Sequence, residues 1–72
     1  MQIQRIPVSS SNLKSVGYDE EERVLEIEFH NNSIYQYFNV PQQIYTGLMM
    51  ASSKGQYHHM MIKDRFRFRR IR

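Results

Sequence analysis

Residues 24–38 read Val24-Leu25-Glu26-Ile27-Glu28-Phe29-His30-Asn31-Asn32-Ser33-Ile34-Tyr35-Gln36-Tyr37-Phe38. Leu25, Ile27 and Phe29 alternate with Glu26, Glu28 and His30, the period-two pattern of a strand with one buried face. Asn31-Asn32 follows with residues that tolerate positive φ, as a tight hairpin turn requires, and Ser33–Phe38 is a second β-prone run. This stretch therefore predicts two antiparallel strands.

Working outward, Leu13 to Tyr18 forms a preceding short strand, and Asp19–Glu22 is a solvated acidic turn, which makes a three-stranded antiparallel meander. Ile3, Ile6 and Val8 are thinly spaced ahead of Ser9–Ser11 and read as a weak strand or an ordered arm. On the other side, Pro41 suits a helix start, and Ile44, Leu48 and Ala51 with Tyr45 and Met49 keep helical spacing. Ser53 followed by Gln56 resembles a capping box opening a second short helix, with Tyr57, Met60 and Met61 facing inward. The expected fold is α+β: a three-stranded meander, two helices on one face of it, and a short basic C-terminal strand or arm.

Seventy-two residues make one small domain, read as 1–72 with a core of about 9–71, near the size where a single core leaves modest stability. The absence of cysteine removes disulfides and thiolate metal sites and suits a cytoplasmic setting. No signal sequence or membrane span can be drawn over residues 1–12. Formal net charge is +3, but it is unevenly spread, since Lys63–Arg72 holds six of the ten basic residues.

Within that segment Arg65, Arg67 and Arg69 alternate with Phe66 and Phe68. On an extended strand the arginines would form a row on one side and the phenylalanines would pack on the other. Guanidinium is planar, permanently charged and grips phosphate in a bidentate way, so Lys63, Arg65, Arg67, Arg69, Arg70 and Arg72 form a candidate nucleic-acid-binding set. The same charges also suit an edge strand protected from association, or neutralisation by Asp19–Glu22.

Several residues follow in a recognisable order: Ser9-Ser10 and Asn12, Val16-Gly17-Tyr18-Asp19, Leu25-x-Ile27-x-Phe29, Tyr35-Gln36-Tyr37 and Val40-Pro41. Tyr45, Leu48, Ala51, Ser53, Gly55, Tyr57 and Ile62 come after them. Over nearly the whole chain this resembles the KTSC domain, a short module found alone in bacterial and phage proteins and at the carboxyl end of some lysyl-tRNA synthetases. The resemblance implies no assigned activity; the synthetase fusion suggests RNA. Asn31-Asn32-Ser33 stands where the family would have a glycine turn.

Tyr35 and Tyr37 are the central motif of that resemblance, and the turn decides their face. A two-residue turn sets Phe29 opposite Ile34 and puts both rings beside Glu26 and Glu28, free to stack on bases. A three-residue turn sets Phe29 opposite Tyr35 and Ile27 opposite Tyr37, placing both in the core.

No catalytic constellation emerges. His58 and His59 are adjacent and diverge by about 100° on a helix, without a second ligand one turn away, so no metal site is expected. His30 and the serines at 9–11 lack the spacing of a nucleophile, base and orienting acid. No cofactor site is expected. The sequence thus points to a non-catalytic binding module whose partner is RNA, either tRNA or a single strand. The alternative is a protein-interaction or self-assembly module that pairs the basic segment with an acidic protein surface or a second copy.

Overall fold

The computed structural model describes residues 2–72. Its centre is the hairpin of Val24–Phe29 (β3) and Ile34–Tyr37 (β4). Asn32 supplies the left-handed residue of the turn at φ 72°, the conformation asparagine tolerates better than most residues. Leu13–Asp19 (β2) pairs with the other side of β3, with a bulge between Leu13 and Ser15.

Two short strands complete the sheet. Ile6–Pro7 (β1) pairs with β2, and Phe68–Arg70 (β5) pairs with β4, so the order is β1-β2-β3-β4-β5 and all neighbours are antiparallel. The expected three-stranded meander is therefore the middle of a five-stranded one. The additional strands are two and three residues long and fall in the two segments that the sequence offered as a strand or an arm.

Helix α1 spans Gln42–Met50, with Pro41 at its N-cap. A second helix, α2 (Lys54–Tyr57), begins where the Ser53 hydroxyl accepts from the Gln56 amide at 3.3 Å, the capping interaction anticipated from the sequence. It runs on into a π-helical turn, His58–Ile62. The widened turn leaves Met60 58% exposed and Ile62 fully buried, so Met60 does not face inward as the spacing suggested.

One face of the sheet carries Leu13, Val16, Leu25, Ile27 and Tyr37, and these pack with Val40, Leu48 and Ile62 into the core. Tyr18 of β2 stacks on Tyr45 of α1, with ring centres 4.9 Å apart and planes 9° from parallel. That contact fixes α1 across the sheet.

The opposite face is covered as well, so β3 is buried on both sides apart from Phe29. The N-terminal segment lies over Gly17 so closely that a Cβ there would sit 2.5 Å from the Gln4 carbonyl oxygen and 2.7 Å from an Ile3 methyl. Gly17→Ala is accordingly expected to push this segment off the sheet and lower stability by about 1–3 kcal/mol. Urea denaturation reads this directly, and an unchanged midpoint would show that the segment gives way freely.

Candidate functional site

The β3–β4 register decides where the tyrosines go. Phe29 N–H donates to the Ser33 carbonyl, and Ile27 pairs with Tyr35 and Leu25 with Tyr37. Both tyrosines therefore share the face of the apolar residues, as a three-residue turn implies. The turn is 30–32, however, and the pairing is two residues away from the one expected. Base stacking beside Glu26 and Glu28 is excluded by this parity.

The two rings differ in depth. Tyr37 is 4% exposed and belongs to the core. Tyr35 is half-buried and opens onto a cleft of about 590 Å³ between the edge of the sheet and the π-helical turn. Its ring lies 5.7 Å from Phe68 at a 44° tilt and meets Phe29 edge-on at 5.8 Å.

His58 closes the inner wall. Its Nε2 shares a 2.9 Å hydrogen bond with Tyr37 Oη, and its ring meets Phe29 edge-on at 5.2 Å. Burial first, and then the positive charges of Lys63 and His59, hold its pKa down to about 4, so the imidazole is neutral at pH 7. Burial likewise pushes the Tyr37 phenol up to about 12, with Tyr35 and Asp64 adding to the effect. Neither group is poised for proton transfer near neutrality. Sequence reasoning passed over His58, although Met61 and Ile62 lie three and four residues further on and mark the same inward helix face.

The basic residues do not form one row. Lys63 lines the cleft. Arg70 is opposite Tyr35 and so shares its face, together with Phe68, whereas Arg69 is opposite Gln36 on the other side. The Arg65 Nε donates to the Met60 carbonyl at 2.9 Å, closing the end of the π-helical turn. The Arg67 carbonyl accepts from Phe38 N–H just ahead of β5, and its side chain is exposed.

Arg72 is engaged elsewhere. Its Nη2 donates to Glu28 Oε2 at 2.7 Å and its Nε to the Asn32 carbonyl at 3.1 Å. Glu28 also accepts from the Ser15 hydroxyl at 2.8 Å and has Lys14 Nζ at 3.9 Å. On the neighbouring carboxylate, Glu26 accepts from Arg5 and, at 2.8 Å, from the Gln36 amide. The Ser15 hydrogen bond is the main cause holding the Glu28 carboxyl below its usual range; burial opposes it, and Lys14, Arg5 and Arg72 reinforce it. The glutamates of β3, rather than Asp19–Glu22, thus neutralise arginines within the fold.

Among the described residues no group of three His, Asp or Glu side chains is placed to hold a metal ion. No helix among them is long and apolar enough to cross a membrane.

Residues 9–66 match the KTSC domain family. The chain belongs to that family. A crystal structure of a KTSC domain protein from Yersinia pestis superposes with a TM-score of 0.95 at 44% identity, covering 99% of this chain and 100% of that one. An uncharacterized protein of Stutzerimonas stutzeri is 36% identical over 70 residues, covering 96% of this chain and 99% of its own length. A lysine–tRNA ligase of Nostoc punctiforme is 38% identical over 61 residues, which are 85% of this chain but 11% of the ligase. The KTSC match takes in Tyr35, Tyr37, His58, Lys63 and Asp64 and stops before β5. The Yersinia KTSC protein extends the likeness over almost the entire chain.

Proposed function

We propose that this KTSC domain is a non-catalytic RNA-binding module of the cytoplasm, taking tRNA or a single strand. The observation that carries the reading is the half-buried Tyr35 ring, which opens with Phe68 onto a cleft lined by Lys63 and flanked by Arg70. Bases stack on aromatic faces while cations beside them meet phosphates, the usual division of labour on single strands. A cleft of about 590 Å³ is in the size range of small-ligand sites. The occurrence of a similar segment in lysine–tRNA ligases supports the same partner.

Lys63, which lines the cleft, and Arg70, which shares the face of Tyr35, are the cations to test on this side of the molecule. Arg69 lies on the opposite face and Arg72 is held by Glu28, which makes them weaker contributors. Each phosphate neutralised on a single strand adds roughly −0.7 to the log–log salt slope. A Lys63→Gln/Arg70→Gln double variant should therefore lose about tenfold in affinity at 0.1 M salt and about 1.4 in slope. Fluorescence anisotropy against a mixed tRNA and single-stranded RNA pool at two salt concentrations reads both quantities. Absence of wild-type binding at low salt would sink the reading.

A second reading has its own support in Phe68 of the edge strand β5 and Ile71 just after it, which are 56% and 42% exposed. Such an edge with its arginines suits an acidic protein surface or a second copy. Concentration-dependent sedimentation of the pure protein, reversed by salt, would favour it over RNA.

A further inference from the structure

Building on the RNA reading of the cleft, we propose that the site selects guanine, holding one unstacked base with its Watson–Crick edge on the Asp64 carboxylate. A groove that only tracks phosphates has no use for a carboxylate, which repels them. Asp64 nevertheless lines the cleft with Lys63, Tyr35 and Phe68. Its charge reaches Tyr37, where it helps keep the phenol protonated.

Asp64 is also left free by the fold. Among the described residues the ion pairs all fall on Glu26 and Glu28. Its backbone is left-handed at φ 65°, a conformation that Asp and Asn bear better than other side-chain-bearing residues and one that tends to mark functional positions. It directly follows the residue whose amide closes the π-helical turn, Lys63 N–H donating to the His58 carbonyl at 2.8 Å. The backbone that carries the carboxylate is thus fixed at the end of a helical segment, at the wall of the cleft.

The chemistry separates the bases. Guanine alone presents two adjacent donors, N1–H and the N2 amino group, which match the two oxygens of a carboxylate. Adenine and cytosine offer one amino group next to a ring nitrogen that the carboxylate repels. Uracil offers one imino proton between two carbonyls. Lys63 then supplies the phosphate contact and Tyr35 with Phe68 the stacking surface, so charge, stacking and base choice come from different side chains.

The test uses short labelled oligouridines carrying one central guanosine, inosine or adenosine, titrated by anisotropy at low salt against the full chain and Asp64→Asn. Asparagine keeps the side-chain shape and tolerates the left-handed backbone, and circular dichroism confirms folding. The wild type should prefer guanosine over adenosine by roughly tenfold, a bidentate contact's worth of discrimination. Inosine, which lacks the N2 amino group, should lose most of that preference. Asp64→Asn should bind all three alike while still binding RNA. Equal wild-type affinity for the three would overturn guanine selection and leave RNA binding standing. No binding to any of them would overturn both, and a guanosine preference retained in Asp64→Asn would remove Asp64 from the recognition.

Discussion

Leu48→Ala is expected to lower stability by about 2–5 kcal/mol and the melting temperature by roughly 10–30 °C. Leu48 is the buried residue of α1 and is 0% exposed, inserted among the apolar side chains of β2, β3 and the π-helical turn. Truncation removes its methyl groups from that cluster and leaves a cavity that the sheet cannot close. A domain of 72 residues has about 4–11 kcal/mol in total, so the variant would be near or past its unfolding point at moderate temperature. Leu48→Met conserves volume and should lose less than about 1.5 kcal/mol. Urea midpoints of the two variants decide the matter: equal losses would mean that α1 does not seal the core.

Acid should begin to destabilise the domain at a pH above the ordinary carboxylate range. The His58 pKa is about 4 in the folded protein against 6.5 when free. Between those values the unfolded chain binds a proton that the native imidazole refuses, so stability is full above pH 6.5 and falls as the pH drops toward 4. The groups facing the ring are the Tyr37 phenol, Lys63 and His59, none of which welcomes a positive charge there. The loss amounts to about 2–3 kcal/mol, after allowance for the partial exposure of the ring. Glu28 has a lowered pKa, so its contribution also disappears on acidification, but at lower pH. His58→Gln should flatten the limb between pH 6.5 and 4 and leave the Glu28 limb in place. A wild-type stability that stays level from pH 7 to pH 5 would contradict a neutral, buried His58.

The elements with a strong local signal were legible. Strand β3 announced itself by alternation, the turn by Asn31-Asn32, and the helices by Pro41 and the Ser53 cap; each signal lies within a few residues of the structure it causes. Strands β1 and β5 were legible only as a weak strand or arm near Ile3–Val8 and a short C-terminal strand or arm, because they exist through pairing with longer neighbours. The hairpin register also escaped, since nothing local told whether His30 or Ser33 would close the loop.

The burial of Glu26 and Glu28 is the largest departure from the alternating pattern, which assigns both to solvent. They are 4% and 8% exposed because Arg5 and Arg72 lie over them, and those partners are 21 and 44 residues distant along the chain. No periodicity carries information over such separations. For the candidate site, the aromatic and basic residues were identifiable by type. Their division between two faces, and the entry of His58 and Asp64 into the cleft, depended on the sheet edge and the widened helical turn.

The meander order bears on how the chain reaches this state. Every strand pairs with its neighbour in sequence, so β2, β3 and β4 can zip together through short loops with little closure entropy. The two guanidinium contacts to β3 are different, because each must bring a chain end back to the middle. They have no reason to form until both glutamates are aligned on one side of a finished hairpin. Folding is therefore expected to proceed from the centre outward, with the Arg5 and Arg72 contacts forming late, so that removing either guanidinium should speed unfolding more than it slows folding in stopped-flow measurements.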